Sequence, residues 1–338
     1  MSAATGPIAT AEVAAPTGSA TGPTPDVADS RRRATRRYVG PVGRRPLWLV
    51  VPAIILLLLL VVLPVALDVY ISFRNVIIST LHEWLSAPWA GIQNYVQAIS
   101  SPSPLSDSFT QSLLISVSFS VVTTVISAPI GFVAALAVNH RFRGRALFRS
   151  LFLVPYVIPV FVTGFIARLM FQNGTGLIDR ALGATHLASQ NTYWLLGPNT
   201  FWALVISDVW IAWPFIYIMT LAGLSSVPTE LYDAADIDGA GNLSKVRYVV
   251  LPHLRALLWL ALLLSTIYHF GSFTLPFILF GDAPPAQANV LPVDIYFRAF
   301  TSFQYGIAAA TAVFTLLIMV IPGYIYLRAT RLGDERNA

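Results

Sequence analysis

Residues 47–69 read LWLVVPAIILLLLLVVLPVALDV, with Asp68 as the one charged position. About 20 consecutive apolar residues suffice for a helix to cross a hydrocarbon core about 30 Å thick. The stretch is longer than the apolar region of a secretory signal and has no small-x-small cleavage pattern after it, so it is expected to remain as a membrane span. The rest of the chain supports that solvent. Of 338 residues, 56% are apolar and only 11% are charged, against about a quarter charged in soluble domains. Five further apolar stretches, 112–138, 151–171, 201–221, 257–279 and 307–327, predict an all-α membrane protein of six transmembrane helices. Pro129, Pro155, Pro159 and Pro214 lie inside them and are expected to kink these helices without breaking them.

An even number of spans puts both termini on one side, and the basic residues say which. Of the 21 Lys and Arg, 17 fall before the first span, in the second and fourth connections, or after the last span. Arg74, Arg180 and Arg298 fall on the other side and Arg168 falls within a span. Positive residues stay cytoplasmic, so both termini are expected there. The same distribution excludes nucleic acid as the partner, because the charges flank spans and build no single basic face. With no Cys there is neither a disulfide framework nor a thiolate metal site, and no metal site is expected.

The expected organisation follows. Residues 1–46 form an Arg-rich cytoplasmic tail whose first 30 positions, rich in Ala, Thr, Pro, Gly and Ser, are too polar to order. Residues 47–71 form the first span. Residues 72–109 form an outer connection with Trp84, Trp89 and Tyr95 at the membrane interface. Residues 110–330 form a five-helix core, and 331–338 a cytoplasmic tail.

The segment 225–255 is the longest cytoplasmic connection inside the core and holds four acidic residues, Glu230, Asp233, Asp236 and Asp238, more than any other connection. Thr229 is a plausible cap, Glu230 and Asp233 suit a first helical turn, and Gly239 with Gly241 ends the helix. Leu251-Pro252 opens the helix that returns to the membrane. The product is a short, exposed, acidic helix on a rigid mount.

Asp233-Ala234-Ala235, three residues, Gly239, nine residues, Val249, one residue and Leu251-Pro252 resemble the EAA motif of ATP-binding-cassette importer permeases, E-A-A-x3-G-x9-I-x-L-P. Asp stands for the family's Glu and Val for its Ile. Trp89-Ala90-Gly91-Ile92 before Asn94-Tyr95, Trp213-Pro214-Phe215, and Leu221-Ala222-Gly223-Leu224 are similar to the carbohydrate-uptake branch, the maltose and glycerol-phosphate type. Gly281-Asp282-Ala283-Pro284 departs from that branch's Gly-rich turn. The resemblance implies a type I importer transmembrane domain in a bacterial cytoplasmic membrane, not an enzyme. It would form half of a sugar pathway and bind no cofactor itself. Its coupling helix, carried by Glu230, Asp233, Ala234, Ala235, Gly239, Leu251 and Pro252, would dock on a cytoplasmic ATPase dimer holding ATP and Mg. A second permease subunit, making a heterodimer, and an extracytoplasmic solute-binding protein complete the implied assembly, with membrane lipid around it.

Within the spans, Asp208 needs a partner, and Arg168 is placed to pair with it or to reach the headgroups. His269 reads as a packed, hydrogen-bonded residue. Sugar sites combine aromatic faces with a few polar groups, which makes Asp208, Trp210, Trp213, Tyr217, Phe270 and Phe273, with Tyr268, candidates for the substrate pathway. Each aromatic equally suits helix packing. Two rival readings stay open: a type I permease for an amino acid, polyamine or oxyanion, and an ion-coupled secondary transporter, which would use intramembrane carboxylates such as Asp208 or Asp68. No metalloprotease or nucleophile-elbow signature supports a membrane enzyme.

Overall fold

The computed structural model describes residues 50–102, 108–140, 142–185, 192–281 and 284–335. The amino-terminal tail with its Arg cluster, Asp282-Ala283 of the outer turn, and 336–338 lie outside the described residues. The first unit is described only at 50–58, the leading turns of an apolar helix, every residue of which is exposed. All else below concerns residues 59–335.

Helices are named in chain order. α1 is Val51–Ser72, α2 Gln93–Ser100, α3 Phe109–Asn139, α4 Arg145–Leu151, α5 Val154–Val157, α6 Val160–Met170 and α7 Leu177–Ala184. Then follow α8 Thr200–Leu224, α9 Thr229–Ile237, α10 Asn242–Phe270, α11 Thr274–Phe280, α12 Leu291–Tyr296 and α13 Tyr305–Glu335. Among the described residues five helices are long and apolar enough to cross a membrane, and the bent pair Arg145–Val157 plus Val160–Met170 passes the same test taken together, which makes up to six. The chain is a multi-pass helical membrane protein.

The core is built on α3, whose buried face carries Ser112, Ser116, Ser120, Thr123, Ser127, Gly131 and Ala135. Small residues let helix backbones approach closely where water supplies no driving force. α8 lies along this face, and a Cβ on Gly131 would come within 2.5 Å of the Trp213 carbonyl oxygen. Two of the hydroxyls return to their own helix, Ser116 Oγ donating to Ser112 O at 2.9 Å and Ser127 Oγ to Thr123 O at 2.6 Å, while buried Thr123 Oγ1 has no partner among the described residues. α10 packs on α3 and α8, α11 on α6, and α13 on α10, α12 and the Leu63–Ser72 part of α1.

The third span differs from expectation. It does not kink at Pro159; it breaks, the two halves meeting at 87°. Pro159 has no N–H, its ring clashes with the carbonyl four residues earlier, and it pushes the preceding residue out of the helical region. Ile158 is accordingly extended at φ −66°, ψ 128°. Pro129 and Pro214 stay inside continuous helices, as expected. The fifth span is also redrawn: α10 begins at Asn242, well before 257, and ends at Phe270, after which Gly271–Phe273 separate it from α11. The connection before it therefore shrinks to 225–241.

The outer connection is folded, not trailing. Arg74 bridges to Trp89, Phe73 stacks on Trp89 at 5.6 Å, and buried Asn94 donates to the carbonyls of Ser72 and Arg74.

Candidate functional site

Two places concentrate chemistry: the exposed turn-helix α9 and a cavity at mid-depth of the bundle. Pro228 caps α9 and Thr229 is its first helical residue, so Thr229 is not the cap expected from sequence. Gly239 adopts φ +71°, which admits glycine without strain. There Ala240 N–H donates to Ala235 O at 2.9 Å and Gly239 N–H to Asp236 O at 3.0 Å, a closure that satisfies the last carbonyls. Glu230, Asp233, Ala234, Leu251 and Pro252 are exposed, and Ala235 is half-buried. Tyr232 and Val227 seat α9 against Leu224, Val250 and Leu254. Burial pushes the Tyr232 phenol above its ordinary value, so it remains neutral and α9 draws its charge from its carboxylates. Lys245 at the start of α10 pairs with Asp236. Ile237 and Leu243, 88% and 82% exposed, flank the acids with unburied apolar surface.

The cavity, about 500 Å³, is walled by three elements. The broken third span contributes Pro155, Tyr156, Ile158 and Val160 around its bend. α8 contributes Ile211, Ala212 and Phe215, and α10 contributes Leu264, Ser265, Tyr268 and His269. Behind the α10 wall, His269 Nδ1 lies 2.7 Å from Asp208 Oδ2, both side chains almost fully buried. The contact is an ion-pair distance and not a formed hydrogen bond: neither Asp208 Oδ2 nor His269 Nδ1 has a hydrogen-bond partner among the described residues. His269 Nε2 lies within hydrogen-bond distance of Ser265 Oγ, at 3.1 Å, with the donor set by the imidazole tautomer. Thr124 of α3 donates to Ser265 and Thr266 to Thr124, at 3.5 and 3.4 Å. The chain of polar groups joins three helices and ends at the cavity surface.

Asp208 thus has a partner, and it is His269 instead of Arg168; the Arg168 guanidinium lies over Gly281, where an added Cβ would meet Nη1 at 3.0 Å. Of the aromatic candidates, Tyr268 faces the cavity. Trp213 and Tyr217 pack against Phe152 near the α9 end, and Tyr217 Oη donates to Arg149 O at 3.5 Å. Trp210 is 53% exposed on α8 and lines no part of the cavity. Phe270 packs with Phe109 and Leu291, and Phe273 stacks on Phe277 beside Tyr296.

Sequence reading passed over Tyr156, Phe215 and Ser265, which gain their place only from the bend and from the rotation of α8 and α10. It also counted Arg298 among loop charges. Arg298 is instead the largest fully buried side chain among the described residues, its Nε donating to Asp294 Oδ2 at 2.9 Å. Asn289 bridges Asp294 to Ser112 of α3. The i,i+4 spacing of Asp294 and Arg298 was the available signal. Among the described residues no cluster of His, Asp and Glu could hold a metal ion.

A helical bundle broken in one span, with a cavity at that break and an exposed acidic helix at one end, has the architecture of an importer transmembrane domain. The crystal structure of a bacterial transporter importing the acidic polysaccharide alginate superposes with a TM-score of 0.68 at 20% identity, covering 83% of this chain and 96% of that one. The same type of transporter bound to an alginate-loaded periplasmic protein gives 0.70 at 18% identity, covering 84% and 92%.

The chain belongs to the binding-protein-dependent transport system inner membrane components, whose family model matches residues 127–330. It is 29% identical over 288 residues to the trehalose/maltose permease MalF of Thermococcus litoralis, covering 85% of this chain and 94% of the relative. It is 30% identical over 289 residues to the sulfoquinovosyl glycerol permease SmoG of Agrobacterium fabrum, covering 85% and 90%.

Proposed function

We propose that this chain is the permease subunit of an ATP-driven sugar importer, forming half of the pathway through a bacterial cytoplasmic membrane. The observation that carries the reading is α9: an exposed acidic helix tied by Asp236–Lys245 to α10, whose other end walls the cavity. Glu230, Asp233, Ala234, Ala235 and Gly239 form its contact surface, and Leu251-Pro252 lies on the connected helix. The partner is a cytoplasmic ATPase dimer that binds ATP and Mg, and this chain binds no cofactor. A second, different permease subunit closes the pathway and an extracytoplasmic binding protein delivers the cargo. Both termini lie in the cytoplasm, following the distribution of Arg. The relatives named for trehalose/maltose and for sulfoquinovosyl glycerol support a saccharide cargo. A cavity of about 500 Å³ sits within the ~300–1,000 Å³ range of small-molecule sites.

The test is co-reconstitution with the ATPase and second permease subunit. Asp233→Lys, or Gly239→Leu, lowers ATP-driven uptake at least about tenfold while the complex still purifies and hydrolyses ATP; one pK-sized loss of contact, about 1.4 kcal/mol, corresponds to that factor. Undiminished uptake in both variants overturns the docking assignment. Uptake driven by a proton gradient without the ATPase would instead favour the secondary-transporter reading, with Asp208–His269 as the proton site.

A further inference from the structure

The break in the third span leaves polar backbone without protein partners. Pro159 carries no N–H, and no hydrogen-bonded turn encloses Ile158 or Pro159. The N–H of Ile158 donates back to Val154 O and that of Val162 to Pro159 O. The carbonyls of Pro155, Tyr156, Val157 and Ile158 therefore accept no hydrogen bond from any described residue. Lipid cannot supply one, and non-helical backbone at membrane depth persists only where protein, or a water-filled cavity, meets its polar groups. Three of these four residues line the cavity. Facing them are Ser265 and His269, the latter held on its buried Asp208. Tyr156, Phe215 and Tyr268 add ring faces. No Lys or Arg lines the cavity.

From this we infer that the bend is the specificity element of the pathway: its unpaired carbonyls read hydroxyl donors, and the cavity selects uncharged saccharides over anionic ones. The inference rests on the permease reading above and deepens it. A saccharide hydroxyl donates to a carbonyl oxygen while the apolar face of its ring lies on an aromatic side chain. A carboxylate or sulfonate brings only acceptors and negative charge toward carbonyl dipoles and Asp208, with no cation in the wall to offset them. Family likeness does not decide this, because one relative is named for trehalose and maltose and another for a sulfonated sugar.

The test uses the complete complex in nanodiscs, with saturation-transfer NMR on three probes of similar size: maltose, per-O-methylated maltose and a uronic-acid disaccharide. Maltose is expected to bind at least tenfold more tightly than either of the others. The methyl ether keeps the ring faces and loses the donors, so it reports the carbonyls; the uronate reports the charge. Equal binding of maltose and its ether overturns the role of the carbonyls, and equal binding of the uronate overturns the charge selection. Absence of maltose binding overturns the inference as a whole, and means that the second subunit's own donors fill the bend. ATP-driven uptake by the same complex in proteoliposomes, with and without Gly239→Leu, tests the permease reading separately.

Discussion

Asp208 and His269 are a buried acid and base 2.7 Å apart on two different helices. Removing one partner of such a pair leaves the other desolvated and unmatched, at a cost of ~3–5 kcal/mol. Asp208→Ala is therefore expected to lower the melting temperature of the purified complex sharply. Asp208→Asn keeps the shape and a polar group beside Nδ1 without the charge, so it should melt between Asp208→Ala and wild type. Equal melting of the two variants would show that the charge, and not the shape and polarity of the side chain, carries the pair's contribution. The sequence displayed Asp208 as an acid in need of a partner but not which partner, because a pairing across helices depends on helix depth and rotation, and neither is written in hydropathy. Gly239 lies at the other extreme: Asp233-Ala234-Ala235-x3-Gly239 announces its own turn, since only the residues of one short helix are involved.

At the level of elements, α12 and the turns after it are anchored by Asp294, Arg298 and Asn289 in a buried cluster against α3. Arg298→Ala should destabilise by ~3–5 kcal/mol through the stranded carboxylate. Joint replacement by Asp294→Leu and Arg298→Met should cost less than the single change, and thermal melts of the pair of variants check the order. α3 makes a second prediction. Leucine at Gly131 forces apart helices that a single Cβ already brings to 2.5 Å of the Trp213 carbonyl, so Gly131→Leu should abolish accumulation of folded protein in the membrane, while Gly144→Ala, with nothing within 4 Å of its Cβ, should be tolerated apart from modest backbone strain. Apolar length predicted where the spans lie but not their continuity. Pro129, Pro159 and Pro214 look alike in a hydropathy profile. Pro159 differs in its surroundings: α5 ends at Val157, Ile158 is extended before the proline, and a new helix starts at Val160.

For the whole molecule, composition and charge were enough to predict a multi-pass bundle and an orientation, because those depend on sums over many residues. The absence of native Cys makes the orientation directly measurable. Single cysteines at Asp236 and at Thr301 should react with a membrane-impermeant maleimide from opposite faces, Thr301 in intact cells and Asp236 only in inverted vesicles. Labelling of both from one face would refute the topology.

α10 runs from Asn242 to Phe270, with one π-helical turn at Val246–Val250. Lys245, tied to Asp236, and Ser265 at the cavity are twenty residues apart along it, or ~30 Å at 1.5 Å per residue. Such a rod is a lever arm. A tilt of about 5° imposed on α9 displaces the cavity wall by ~2.5 Å over that length, close to the width of one hydrogen bond. The opposite wall, cut at Pro159, cannot be driven as a rod in the same way, so motion at α9 changes the gap between the two walls more than it moves them together.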